Sequence, residues 1–176
     1  MRIISGRYRG RHINPPHTIT ARPTTDFAKE ALFNLLQNEI EFEGLSVLDL
    51  FAGTGSISFE FASRGAQQII AVELANQQQN FIRKVCQELD FKNITLVRGD
   101  VFKFIRANHL QYDIIYADPP YALRQLPELP DLVFEHQMLK EGGLFILEHS
   151  SKNSFENHPH YVQHRNYGSV NFTFFK

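Results

Sequence analysis

Five short apolar runs, separated by turns and helix-spaced stretches, constrain this chain more than any other feature of its sequence. The runs are "LSVLDLF", "QQIIAVE", "NITLVRGD", "YDIIYADPP" and "GGLFILEHS". Between them the pattern is helical: near Ile57 to Arg64, at Ile82, Val85, Cys86 and Leu89, near Val101 to Asn108, and near Pro130 to Met138. Apolar strands alternating with helices pair in parallel, with helices covering both faces of the sheet. An earlier helix is predicted from Asp26, because Ala28, Ala31, Leu32, Leu35, Leu36 and Ile40 share one side. Thr24, Thr25 and Asp26 are its candidate caps. The C-terminal stretch "HYVQHRNYGSVNFTFFK" has two strand-like pieces and no helix between them. A hairpin there, turning at Tyr167 and Gly168, adds an antiparallel edge to the sheet.

A length of 176 residues suits about one domain with a real core. The chain is 43% hydrophobic and 21% charged, the balance of an ordinary soluble globular protein. No apolar run approaches the roughly 18 residues of a membrane span, and "MRIISGRYRGRHI" lacks the apolar core of a signal peptide. The single cysteine, Cys86, excludes an intramolecular disulfide, and its place on an apolar helical stripe reads as core. A cytoplasmic location is the expectation. The net charge of −1 hides an asymmetry: residues 1 to 25 hold five arginines and no acid. All 19 acids lie beyond them. "RIIS" and "GRHIN" are expected to form a small hairpin around "GRYRG".

In "VLDLFAGTGSISFEF" a strand turns through Gly53 and Gly55 into a helix, which allows a ligand close to the helix N-terminus. Glu73 ends the next strand, where a carboxylate accepts hydrogen bonds from ribose hydroxyls. The cofactor is therefore of nucleoside type. It is not a dinucleotide, since Ser58 replaces the third glycine of G-x-G-x-x-G, and no phosphate-gripping G-x-x-x-x-G-K-[ST] occurs. The string from Asp49 to Gly55, including Phe51, Ala52, Gly53 and Thr54, resembles the first motif of S-adenosylmethionine-dependent methyltransferases. That resemblance implies S-adenosylmethionine as cofactor, S-adenosylhomocysteine as product and no metal. It places Asp49 near the positive amino group and sulfonium, Asp100 on the adenine amine and Val101 beside the ring.

"ADPPY" ends the fourth run, so Asp118 projects into the same crevice as the glycine turn. Pro119 forces Asp118 into extended backbone, and Pro119 and Pro120 have no N–H to continue a ladder. The loop offers acceptors, the Asp118 carboxylate and the Pro119 carbonyl, with Tyr121 as a flat surface for stacking. A planar exocyclic amine on a nucleobase matches it. The motif resembles the [DNS]-P-P-[YFW] of amino-methyltransferases. Carbon methylation of cytosine needs a cysteine nucleophile, a role for which Cys86 is badly placed.

Taken together, "RIISGRYRGRHI", "RPTTDFAKEALFNLL", "DLFAGTGS", "VE", "ADPPY", "ILEHS" and "YGSV" resemble, in order, the RsmD family of bacterial 16S ribosomal RNA guanine-N2 methyltransferases. The resemblance implies a Rossmann-like methyltransferase fold, with a mostly parallel seven-stranded sheet, helices on both faces, a C-terminal antiparallel strand and an N-terminal β-hairpin arm. It implies an arm over residues 1–21 and a methyltransferase domain over 22–176, with "RPTTD", hence Arg22 and Thr24, closing over the cofactor. The implied partner is 16S rRNA, in the small ribosomal subunit or an assembly intermediate, and the family's target is guanine 966. No membrane partner is implied, and a monomer is expected. One departure stands out: "ALRQLPELPDLVF" carries two extra prolines. If residues 7 to 11 are extended, Arg7, Arg9 and Arg11 share one face for RNA phosphates and Tyr8 lies opposite to stack on a base. His158, His160 and His164 read as surface histidines rather than a metal cluster. Two other functions remain open: an adenine-N6 DNA methyltransferase, and a non-catalytic RNA-binding assembly factor.

Overall fold

A computed structural model describes residues 1–19 and 25–176. Its elements follow the expected alternation: α1 (Asp26–Leu36), β1 (Ser46–Leu50), α2 (Ser56–Ser63), β2 (Gln68–Glu73), α3 (Asn76–Glu88), β3 (Ile94–Arg98), α4 (Val101–Ala107), β4 (Tyr112–Ala117), α5 (Leu129–Glu135), β5 (Leu139–His149), β6 (Tyr161–Tyr167) and β7 (Val170–Phe175). The seven strands form one sheet in the order β3-β2-β1-β4-β5-β7-β6. All pairings from β3 to β5 are parallel, and β7 runs antiparallel between β5 and β6. The fold is thus the mostly parallel sheet that the alternation implied and the Rossmann-like arrangement that the resemblance implied. Strand order reverses at β1, between β2 and β4, which opens a crevice at the carboxyl ends of these strands.

Alternate residues of each strand feed the two faces. Leu48, Leu50, Ile115 and Leu147 pack with α4 and α5 through Val101, Ile105, Leu129 and Val133. Val47, Ile69, Ile114 and Ile146 pack with α1 and α2 through Leu32, Phe33, Leu36 and Phe61. Each such fully buried side chain contributes about 1.5–3 kcal/mol. α1 stops at Leu36 rather than Ile40, although Ile40 still packs on the core. The two prolines of the departure lie in the first turns of a short 3-10 segment (Leu126–Glu128) and of α5, where a missing N–H costs nothing.

The N-terminal arm differs from its expectation. Instead of two paired strands it has one antiparallel bridge, Arg2 with His12, around a series of turns. Ile3 and Ile13 are buried with Phe59, Phe81 and Val85, so the arm shares a core with α2 and α3. Gly6 presses on α2 so closely that a Cβ would sit 1.9 Å from the Ser63 carbonyl oxygen, and its φ is +82°. Glu60, buried on α2, accepts from the backbone N–H groups of Ile4 (2.8 Å) and Ser5 (3.1 Å) and from Arg64 Nε (2.8 Å). Lys29 Nζ donates to the Arg2 carbonyl (2.6 Å) and Ser56 Oγ (2.9 Å), and burial lowers its pKa from the usual lysine value. The boundary expected between residues 21 and 22 lies outside the described residues.

Candidate active site

At the reversal point the strand ends surround a cavity of about 730 Å³. Gly53, Glu73, Asp100 and Val101 line one half, and Asp118, Pro119, Pro120 and Tyr121 line the other, with Phe51 also in its wall. Residues 70 positions apart in the sequence are therefore brought to one opening.

The first half is set by backbone. Phe51 (φ 62°), Gly53 (φ 57°) and Gly55 (φ 79°) are all left-handed, and only glycine adopts that region without strain. Each glycine has its own reason. A Cβ on Gly55 would meet the Phe59 ring at 2.8 Å and Ile82 at 3.0 Å, so this position is closed by packing. A Cβ on Gly53 would meet nothing nearer than 3.8 Å, so this position is open to a ligand. The Glu73 carboxylate is clamped by two amides: Gly53 N–H donates to Oε2 (2.8 Å) and Ala75 N–H to Oε1 (2.9 Å). Each oxygen keeps a further lone pair. Asp100 caps α4, its Oδ1 accepting from Lys103 N–H at 2.9 Å, which fixes it at the cavity wall beside the buried Val101.

Four expected cofactor residues, Asp49, Ala52, Thr54 and Gly55, are not in the cavity lining among the described residues. Ala52, Thr54 and Gly55 are buried within the turn itself, and Asp49 lies behind it. Asp49 is buried and accepts from Ser58 Oγ at 2.6 Å, and burial pushes its pKa up to about 7. It faces α2, because alternation along β1 turns it away from the side on which Leu48 and Leu50 pack. Arg22 and Thr24 lie outside the described residues; the adjoining Thr25 lines the cavity and caps α1 by accepting from Ala28 N–H.

The second half is set by side chains. Asp118 N–H donates to the Leu50 carbonyl at 3.3 Å, carrying the β4–β1 pairing one step past the strand. Pro119 is buried and Pro120 exposed, with the Pro120 carbonyl accepting from Leu123 N–H at 2.9 Å to close the loop. The Tyr121 hydroxyl donates to Glu148 Oε1 at 3.0 Å, and the buried Tyr116 hydroxyl donates to Oε2 at 2.5 Å. Glu148 lines the cavity although it is only 3% exposed. It is the main residue that sequence reasoning missed. Its signal was an acid ending the apolar run of "ILEHS", as Glu73 and Asp118 end theirs. Leu74, beside Glu73 on the rim, was missed too, since one apolar residue after a strand carries no distinctive pattern.

Elsewhere, Arg7, Arg9 and Arg11 are exposed, but on turns rather than on one strand face. The Tyr8 expectation is overturned: its hydroxyl donates to the Leu89 carbonyl, its ring meets Phe91 edge-on at 4.9 Å, and Arg7 lies over it. Tyr8 anchors the arm to α3 and is not a free ring for a base. Cys86 is half-buried, and burial raises its thiol to about 11, far from a thiolate nucleophile. His158 contacts Asp131 at 3.2 Å, His160 stacks on Phe134, and His164 contacts Asn171 at 2.9 Å. Among the described residues no group of three or more His, Cys, Asp or Glu is arranged to hold a metal. No helix among them is long and apolar enough to cross a membrane.

Comparison with known proteins places this geometry. The family model described as "Conserved hypothetical protein 95" matches residues 1–176. The Escherichia coli K12 protein "Ribosomal RNA small subunit methyltransferase D" is 30% identical over 159 residues, covering 90% of this chain and 79% of that one. The solved structure "Putative methyltransferase yhhF from Escherichia coli" superimposes with a TM-score of 0.86 at 26% identity, over 99% of this chain and 96% of that one. "SMU.776, a putative methyltransferase complexed with SAH" does so with a TM-score of 0.67 at 26% identity, over 84% of this chain and 49% of that one. A match along the whole length, with the glycine turn and the D-P-P-Y loop on one cavity, leaves a single conclusion: the chain belongs to this family, that of the RsmD-type methyltransferases.

Proposed function

We propose that the protein transfers a methyl group from S-adenosylmethionine to the exocyclic N2 amine of a guanine in 16S rRNA, guanine 966 being the family's target. The observation that carries this reading is the shared cavity, with Glu73 clamped in one half and Asp118 in the other. The residues fit the cofactor. Glu73 has lone pairs left for ribose hydroxyls, Asp100 and Val101 supply an acceptor and an apolar wall for adenine, and Gly53 leaves open space. When bound, the cofactor supplies an electrophilic methyl carbon on a sulfonium.

The chain's own residues prepare the acceptor. A carboxylate is too weak a base to strip an aromatic amine in advance. Asp118 instead accepts from the amine N–H, orients it, and stabilises the positive charge that grows on nitrogen. So oriented, the nitrogen lone pair would point at the methyl carbon that the bound cofactor would supply, and the amine proton would leave to water. Tyr121, pinned through its hydroxyl by Glu148, presents its ring to the base. The target base must leave its stack to reach this depth.

Residues 1–21 act in this reading as an RNA-contacting arm, in a cytoplasmic monomer whose partner is the small subunit or its precursor. Arg7, Arg9 and Arg11 are exposed, and Glu60 and Lys29 hold the arm's backbone in place. Replacing the three arginines by alanine is expected to weaken RNA binding and to reduce the slope of log affinity against log salt by about 2, with cofactor affinity unchanged. An unaltered slope removes the arm from the RNA interface.

The decisive assay offers labelled cofactor with small-subunit particles from a deletion strain, duplex DNA and a protein acceptor side by side, followed by nucleoside mass spectrometry. N2-methylguanosine in the particles is expected. N6-methyladenosine in DNA would establish the adenine reading, and Asp118→Ala retaining full cellular effect would establish the non-catalytic one.

A further inference from the structure

Among the described residues Phe27 is the most exposed large apolar side chain, at 68%. It belongs to none of the hydrophobic clusters, so the fold gives no reason for it. Its ring meets Tyr167 edge-on at 6.3 Å and 82°, and Tyr167 is braced from behind by Phe172 at 6.0 Å. The pair adjoins the cavity, although neither ring is part of its lining. Thr25, two residues before Phe27, and Val170, three residues after Tyr167, both line it, next to Glu148 and Tyr121.

A cation shares this surface. Arg165 pairs with Phe172 and Tyr167 with Val170 across the β6–β7 hairpin. Phe172 and Val170 both pack on the α1 side, so Arg165 and Tyr167 face that side too. Arg165 is exposed about 7 Å along the strand from Tyr167. The neighbouring acid, Asp26, is drawn toward the arm, its Oδ1 accepting from Arg2 N–H at 3.3 Å.

A solvent-facing ring, backed by a tyrosine two residues along the strand from an exposed arginine and adjoining a cavity proposed to take an unstacked base, fits one ligand chemistry. When the target base leaves its stack, each neighbour loses a stacking partner. We infer that Phe27, backed by Tyr167, is a platform for the unpaired nucleobase adjoining the target, with Arg165 on that nucleotide's phosphate. The inference deepens the proposed function and rests on it for RNA as the ligand.

The test compares wild type with Phe27→Ala and Phe27→Trp in two measurements. One is binding of a fluorescent oligoadenylate of about ten nucleotides and of an abasic oligomer of equal length. The other is methyl transfer to small-subunit particles. Phe27→Ala is expected to weaken oligoadenylate binding about tenfold, to leave abasic binding unchanged, and to raise KM for particles with kcat held. Phe27→Trp restores both. Equal oligoadenylate affinity in wild type and Phe27→Ala would overturn the inference, even with full methyl transfer. A wild type that methylates no particle yet tells oligoadenylate from the abasic oligomer through Phe27 would defeat the proposed function and leave the platform standing.

Discussion

The two halves of the cavity hold their functional groups by different means. In the half proposed for the cofactor, Glu73 and Asp100 are fixed by backbone N–H groups of Gly53, Ala75 and Lys103. In the half proposed for the acceptor, Tyr121 is fixed by another side chain, Glu148, which also takes the Tyr116 hydroxyl. Backbone clamps follow from chain geometry and change little with sequence. Side-chain clamps are readily re-shaped by substitution. In the proposed reading, the difference makes the methyl-donor half a property of the fold and leaves the reading of the acceptor to a few side chains above it.

Four substitutions press on this division. Asp118→Ala takes away the acceptor proposed to stabilise charge on the amine, and is expected to cut kcat about a hundred- to a thousandfold. Cofactor affinity, measured by calorimetry, stays within about twofold; a matching loss of cofactor binding would merge the two halves. Glu73→Ala acts in the opposite sense, weakening the cofactor about ten- to a hundredfold by losing hydrogen bonds to a charged group. Its kcat at saturation is expected to hold. Tyr121→Phe frees the ring from Glu148, with an expected loss of roughly tenfold in kcat/KM for RNA and none in cofactor binding.

Asp49 gives the smallest effect and concerns stability. Burial raises its pKa to about 7, so the folded state holds the proton more tightly than the unfolded chain, whose aspartate titrates near 4. Stability from this group is fullest below about pH 4 and declines as pH rises toward about 7. The loss between pH 6 and 8 is about 1 kcal/mol. Asp49→Asn is expected to flatten that stretch in urea unfolding. An unchanged slope would show that folded Asp49 does not change protonation between pH 6 and 8.

What the sequence disclosed follows the same division. Gly53, Glu73, Asp100 and Asp118 were legible because each ends or follows an apolar run, and strand ends of a parallel sheet share one crevice. Asp49 and Thr54 were in the same motif yet lie behind the wall, because a motif gives spacing and not the direction of each side chain. Glu148 was readable by the strand-end rule but was passed over. The contacts from Lys29 and Glu60 to the arm were out of reach, since nothing local shows that charged helix residues will be buried against a segment about 30 to 55 residues away. Tyr8 was misplaced for a related reason: an extended arm was assumed, and Gly6 and Gly10, both left-handed, turn it instead.

The central claim is that one cavity holds the methyl donor and the amine-gripping loop face to face. A crystal structure with S-adenosylhomocysteine tests it most directly. The ribose hydroxyls are expected on Glu73, the adenine beside Asp100 and Val101, and the sulfur turned toward Asp118 with room between them for a purine. A sulfur facing away from Asp118, or a ligand that fills the Asp118–Tyr121 half itself, would contradict the account.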